Sequence, residues 1–142
     1  MTQDIFAKHI QKTNEWLNQI GDLAGWRDPH KSLAALRATL HRLRDNLPIE
    51  TVLHLSAQLP LIIRGILFES WHLSECPTKD RKVDSFLEGI EDELYRVDFD
   101  AETGAYAVLR VLSNHISQGE VEKIRKVLPH EIGILWDEAS AA

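Results

Sequence analysis

The chain has 142 residues, 44% of them hydrophobic, and 22 acidic against 16 basic residues give a formal net charge of −6. This length and apolar content suffice for a single domain, residues 1–142, with its own core. The acidic balance disfavours nucleic-acid backbones and anionic membranes, because binding to both depends on Lys and Arg. One cysteine, Cys76, leaves no internal disulfide, and the first residues lack a signal-peptide pattern. We therefore expect a cytoplasmic protein that binds neither nucleic acid nor membrane.

Apolar residues recur at spacings of three and four along the chain, which predicts an all-α fold of about six helices. The first helix begins near Asp4, and the residues expected to face the core are Phe6, Ile10, Thr13, Leu17 and Ile20. The second begins at Asp28-Pro29, an N-cap followed by proline at the first helical position. Its apolar residues are Leu33, Leu36, Leu40, Leu43 and Leu47. The third follows Pro48, with apolar residues Val52, Leu55, Leu59, Ile62 and Ile66.

The same pattern continues after a connector from Trp71 to Lys79. The fourth helix carries Phe86, Leu87, Ile90, Leu94 and Val97. The fifth begins near Gly104 and carries Ala105, Val108, Leu109, Leu112 and Ile116. Ser117 and Glu120 form a capping-box pattern, which predicts that the sixth helix begins there. Its apolar residues are Val121, Ile124, Leu128, Ile132 and Leu135.

Two parts of the chain align without a gap when one is shifted by 69 residues. The shift places Leu59-Pro60 on Leu128-Pro129 within matching apolar stripes. A proline inside a helical stripe removes a backbone hydrogen bond and forces a kink or a new helix start, so its recurrence in register is informative. We expect two tandem three-helix halves, residues 4–71 and 81–138, with these prolines in structural roles.

The third predicted helix has a second apolar face that its counterpart lacks. This face consists of Leu53, Ala57 and Leu61. The equivalent positions in the sixth helix are Glu122, Lys126 and His130. An apolar face of this kind needs cover, either from the long first helix or from a second subunit. The sequence therefore indicates a possible interaction face on the third helix.

Several segments resemble a known prokaryotic family. The most specific is the run Ser56-Ala57-Gln58-Leu59-Pro60-Leu61-Ile62-Ile63-Arg64-Gly65, and the likeness extends roughly from Phe6 to Trp136. Other residues that carry it are Trp71, Pro77, Lys79, Arg81, Gly119, Glu120, Leu128 and Pro129. On these residues the chain resembles the family catalogued as domain of unknown function 2267. The resemblance implies an all-helical fold and supplies no activity, cofactor or catalytic residues.

Few residues stand in patterns that carry chemistry. Glu69 and His72 have the Glu-x-x-His spacing of di-iron bundles, but those sites need a second copy and two further glutamates. His72 and Cys76 are spaced like paired ligands on a helical turn, and two ligands do not make a zinc site. Cys76 lies between Glu75 and Pro77 without an oxyanion-hole signature. We therefore predict no catalytic residues, no metal site and no cofactor.

Charge is distributed unevenly along the chain. The region of the second helix is basic, with Arg27, Lys31, Arg37, Arg42 and Arg44. The fourth helix and the loop after it are acidic, with Asp84, Glu88, Glu91, Asp92, Glu93, Asp98, Asp100 and Glu102. Three interpretations stay open: solvated faces, docking of one group on the other within or between subunits, and nucleic-acid binding by the basic side.

Arg64 lies in the most apolar helix, where a cation needs a partner. We predict that a carboxylate or a backbone carbonyl binds it, and we assign structural roles to Arg64 and Trp71. The surplus apolar surface favours a non-enzymatic helical module that works by protein–protein contact, as a homodimer or with another protein. The alternative is a small-molecule- or metal-binding protein with a pocket between the two halves near the prolines.

Overall fold

The computed structural model of the chain describes residues 4–93 and 97–141. These residues form eight α-helices, one short 3-10 helix and no strand, so the all-α prediction is confirmed for them. The α-helices are α1 (Ala7–Ala24), α2 (Pro29–Asp45), α3 (Ile49–Ser56), α4 (Leu61–Phe68), α5 (Val83–Asp92), α6 (Ala101–His115), α7 (Gln118–Val127) and α8 (His130–Ala141). The 3-10 helix spans Leu73–Glu75. Leu94, predicted in the fourth helix, lies outside the described residues.

The predicted number of six helices is wrong, because each internal proline starts a new helix. Pro60 has φ −58° and ψ 154°, an extended conformation between α3 and α4. Its missing N–H cannot continue α3, whereas its carbonyl accepts the first backbone bond of α4, from Arg64 N at 2.8 Å. Pro129 does the same before α8, where Gly133 N donates to its carbonyl at 2.8 Å.

Equivalent helices begin 69 residues apart. The starts of α3 and α7 are Ile49 and Gln118, and the starts of α4 and α8 are Leu61 and His130. This spacing equals the shift that aligns the two prolines in the sequence. The division into two tandem halves stays a prediction, to which these starts are relevant.

The core lies around α2 and α6. α6 packs against α1, α2 and α8, while α2 also packs against α1, α4 and α5. The leucine stripe predicted for α2 accounts for this position, because Leu36, Leu40, Leu43 and Leu47 are fully buried. Two tryptophans fill the space beside these helices, Trp16 from α1 and Trp136 from α8. α3 and α7 pack against each other at one side of the molecule.

The first turns of α1 extend beyond the core, which the sequence pattern did not predict. Phe6 and Ile10, expected to be buried, are 57% and 45% exposed. The helix begins at Ala7 rather than near Asp4, and among described residues burial begins only at Thr13. The residues of α1 that do face the core are Thr13, Trp16, Leu17, Ile20 and Gly21.

The predicted N-caps of α2 and α7 hold, but the capping box is only half formed. Asp28 Oδ1 accepts from His30 N at 2.9 Å, and Ser117 Oγ accepts from Glu120 N at 3.1 Å. The returning bond from Glu120 is replaced, because Ser117 N donates instead to Gln58 Oε1 at 2.7 Å. Gln58 therefore ties the α3–α4 junction to the start of α7.

Candidate interaction face and neighbouring groove

The three residues of the predicted face lie on the surface of α3 and at the start of α4. Leu53 is 52% exposed, Leu61 is 51% exposed, and Ala57 between them is also exposed. The expectation that α1 covers this face is wrong for the single chain, because neither leucine is shielded. Two further apolar side chains, Ile49 and Ile62, are partly exposed nearby. We call these five residues the apolar face.

The opposite side of the same helices is part of the core. Val52, Leu55 and Leu59 are buried there, together with Ile63 of α4. Helices on the surface of a globular protein usually have one apolar stripe and one polar side. α3 and α4 are apolar on both sides, and exposed apolar residues grouped in this way mark an interaction site.

α7 shows the more usual arrangement at the equivalent positions. Its buried residues are Val121 and Ile124, with Leu128 after it. The positions that correspond to the three face residues are Glu122, Lys126 and His130, all exposed. The chain therefore contains a polar version of the same surface, which serves as an internal reference for the apolar one.

A groove of about 820 Å³ adjoins the apolar face at Leu61. One wall comes from the first turns of α1, with Lys8 and Lys12, and the floor comes from the α3–α4 junction. Junction residues in the floor are Leu59, Pro60 and Leu61, flanked by Gln58 and Arg64. The groove lies near a proline, as the alternative hypothesis expects. Its lining residues all fall within residues 4–71, so it does not lie between the two predicted halves.

The groove is predominantly basic. Lys12 Nζ lies 3.5 Å from Glu15 Oε2, and Lys8 forms no salt bridge with another described residue. Arg64 Nη2 donates to the Leu59 carbonyl at 3.0 Å, so its partner is a backbone carbonyl, one of the two kinds expected. Its Nε is buried and has no hydrogen-bond partner among the described residues. Of the four cationic or neutral basic side chains, the fourth being His9, only Lys12 faces a carboxylate in the groove.

Comparison with known families matches residues 13–135 to the family described as "Uncharacterized conserved protein (DUF2267)". The chain belongs to the DUF2267 family. This assignment confirms the resemblance inferred from the sequence, and the family description names no activity. No curated protein matches the chain. The matched DUF2267 region begins at Thr13, where burial of α1 begins, so Lys8 and Lys12 precede it.

Residues that the sequence analysis did not single out hold the end of α4 in this DUF2267 chain. Arg44 is buried and its Nη1 donates to the carbonyls of Leu67 at 2.9 Å and Glu69 at 2.6 Å. His41 is also buried, and its Nε2 lies 2.7 Å from the Ile66 carbonyl. A sequence signal existed, because two basic residues three apart within a buried stripe need internal partners.

The connector after α4 is fixed by Trp71 and by contacts of Cys76. Trp71 is half-buried, and its ring lies 5.5 Å from that of Phe68. Cys76 Sγ donates to Asp45 Oδ1 at 3.3 Å. Partial burial, followed by the neighbouring Asp45 carboxylate, raises the pKa of the Cys76 thiol, which opposes formation of the reactive thiolate.

Part of the basic group on α2 is occupied within this DUF2267 fold. Arg37 Nε donates to Glu69 Oε1 at 2.9 Å, and α2 packs against the acidic helix α5. His41 Nδ1 lies 2.8 Å from Glu93 Oε1 at the end of α5. Docking of the two charge groups within the chain therefore accounts for some of the pattern, while most of the acidic side chains stay exposed.

The candidate ligand pairs do not form a metal site in the parts of the chain that are described. Glu69 is engaged by Arg37, and no group of three or more His, Cys, Asp or Glu side chains that could hold a metal occurs in residues 4–93 and 97–141. Within the same ranges, no helix combines the length and apolarity needed to cross a membrane.

Proposed function

We propose that this chain is a non-enzymatic helical assembly module that forms a homodimer through the apolar face. The observation that carries the proposal is the exposure of Leu53, Ala57 and Leu61 on helices whose opposite side is already in the core. Removing a half-exposed leucine from water is favourable by about 1 kcal/mol, so a few such residues on each subunit contribute substantially to association. The apolar face is too small to be read alone, and its charged surroundings indicate the partner.

A second copy of the chain is the partner that fits these surroundings. One end of the apolar face carries the acidic Glu50, and the other end adjoins the basic groove. A symmetric two-subunit interface requires a surface that is complementary to itself. A face with acid at one end and base at the other meets this requirement when two copies run in opposite directions.

We also propose that residues 4–71 and 81–138 are two copies of one helical unit, only one of which keeps an apolar outer face. The equal spacing of helix starts supports this. So does a shared contact: His41 and Arg110, 69 residues apart, each reach a carbonyl near the end of the last helix in their half. The acceptors are Ile66 O and Ala139 O, at 2.7 and 3.4 Å. Composition supports a cytoplasmic location for such a module, without nucleic acid as a partner.

The test replaces the apolar face by the residues that α7 carries at equivalent positions, in the triple variant Leu53→Glu, Ala57→Lys, Leu61→His. We expect the wild-type chain to be a dimer by analytical ultracentrifugation and native mass spectrometry, and the triple variant to be a monomer. Helical circular dichroism should be unchanged, because all three positions are exposed.

Ile134→Lys on α8 is the matched control, since Ile134 is similarly exposed and lies outside the apolar face. This variant should stay a dimer. A wild-type chain that remains monomeric up to high micromolar concentration would refute the homodimer, as would a triple variant that dimerises as well as the wild type.

A second candidate function is binding of a small anionic molecule in the groove. Its volume of about 820 Å³ falls in the range of ligand sites, and basic side chains surround an apolar floor. Native mass spectrometry of the purified chain separates the two candidates, because a bound molecule adds its own mass to each subunit. Denaturation should release that mass, whereas a dimer without a ligand has twice the subunit mass.

A further inference from the structure

We infer that the two subunits pack antiparallel and that the basic groove of each receives Glu50 of the other. This inference rests on the proposed homodimer and specifies how its subunits meet. Glu50 is the best-placed acid, because its side chain is 88% exposed and its described ionic neighbour is His54, 3.9 Å away on the next turn. At that distance and exposure the contact with His54 leaves the carboxylate available.

The order of groups along the surface fixes the direction. Glu50, Leu53 and Ala57 are three and four residues apart, so they lie on one side of the α3 stretch. Leu61 continues this line at the start of α4 and also lines the groove. The line therefore runs from an acid, through exposed apolar residues, to the basic side chains Lys8 and Lys12.

A two-fold axis near Ala57 brings each end of this line against the opposite end in the partner. The small side chain at the centre allows the two helices to approach closely, and the leucines on either side of it cover each other. From Glu50 to Ala57 the helix rises about 10 Å, so the acid lies within reach of the far end of the partner's face.

The parallel arrangement is unfavourable on charge. It would place Glu50 opposite its own copy and the lysines opposite theirs, and like charges across an interface oppose association. In the antiparallel arrangement both acids face lysines, and Arg64 adds a third cation whose Nε has no partner in the described chain. Two copies of the whole chain, each with net charge −6, repel one another, so this local attraction also orients their encounter.

Charge exchange between subunits tests the inference. Glu50→Lys and the double variant Lys8→Glu, Lys12→Glu should each weaken the homodimer about tenfold, because each creates like-charge contacts at both ends of the interface. Mixed together, the two variants should form a heterodimer in which both ends are attractive. Native mass spectrometry should then show the heterodimer well above the statistical half of all dimers.

Glu122→Lys is the matched control, an equal charge reversal on the exposed side of α7. It should leave the homodimer intact and should not pair preferentially with the lysine variant. The salt dependence gives a second readout, because preferential heterodimer formation should decline as ionic strength rises.

The outcomes separate the two proposals. A monomeric wild-type chain refutes the homodimer and this inference together. A wild-type dimer that the triple face variant disrupts, combined with a purely statistical mixture of the two charge variants, refutes the antiparallel arrangement and leaves the homodimer standing. Preferential heterodimer formation supports both.

Discussion

The ring of His115 packs against Trp16, with the two ring centres 4.4 Å apart, and its Nε2 lies 2.7 Å from Gln19 Oε1. Burial, and then the nearby Lys12, lowers the pKa of His115 below its ordinary value of 6.5, although Glu15 acts in the opposite direction. The unfolded chain therefore binds a proton at a higher pH than the folded chain does. The contribution of His115 to stability is present above pH 6.5 and is lost as the pH falls through that value.

His115→Phe keeps a ring over Trp16 and removes the titrating group. We expect its free energy of unfolding to fall less than that of the wild type between pH 7.5 and pH 5, as measured by urea denaturation. Other groups contribute equally to both proteins, so the difference isolates His115. An equal fall in the two proteins would contradict the assignment.

Two glycines in helices predict opposite effects of the same substitution. A Cβ added at Gly104 of α6 would lie 2.6 Å from the ring of Phe99, which is buried, and 3.4 Å from Ala35 of α2. A Cβ at Gly119 of α7 would meet no atom within 4 Å. Gly104→Ala should lower the free energy of unfolding by about 1–3 kcal/mol through overpacking. Gly119→Ala should raise it by about 0.5–1 kcal/mol through helix propensity.

Urea denaturation of the two variants under identical conditions checks both signs. The pair controls for the helix propensity of alanine, since that contribution is common to both positions. Stabilisation by Gly104→Ala would show that Phe99 moves aside freely and that α2 and α6 are less tightly packed than described.

At the scale of helices, the end of α4 depends on a side chain from α2. Arg44 donates to the carbonyls of Leu67 and Glu69, which lie at the end of α4 where no backbone donor follows. Arg44→Met keeps much of the side-chain volume and removes these donors. The loss should be about 2–3 kcal/mol in the free energy of unfolding, because buried acceptors are then unpaired.

Arg37→Met is the matched control for this loss. Arg37 comes from the same helix and pairs with Glu69, but both side chains of that pair are more than 40% exposed. An exposed ion pair contributes about 0–1 kcal/mol, so the control should change the urea midpoint little. Equal losses in the two variants would mean that Arg44 acts by charge alone.

Helix faces could be predicted from the sequence where one stripe serves both the helix and the core. Leu36, Leu40 and Leu43 of α2 are buried as predicted, because their spacing places them on one side of a helix that lies at the centre. The number of helices could not be predicted as reliably. Apolar spacing continues across Pro60 and Pro129, so a stripe alone does not show that a new helix begins at each.

The limits of prediction at the site have a related cause. Periodicity identified Leu53 and Leu61 as a second face, but coverage depends on where α1 lies, which a local pattern does not contain. The same gap explains why Phe6 was expected in the core. The groove was not predicted at all, because Lys8 and Arg64 are distant in sequence and only the packing of α1 beside α4 brings them together.

At the scale of the whole molecule, the net charge of −6 is divided unequally between surfaces. Arg37 and Arg44 of the basic group are used inside the fold, whereas the acidic group around α5 remains in solvent. The remaining positive surface is therefore scarce, and the groove holds a concentrated part of it. A partner with an acidic protrusion meets attraction there and repulsion over the acidic side of α5.

The first turns of α1 have a consequence for how this surface can change over time. Lys8 and Lys12 form a wall of the groove but lie ahead of Thr13, where burial begins. Substitutions there meet little resistance from folding, since no core contact depends on them. Floor residues such as Leu59 are buried and cannot vary so freely. Selectivity for a partner can thus diverge between related chains by mutation of one wall, while the scaffold beneath it stays constant.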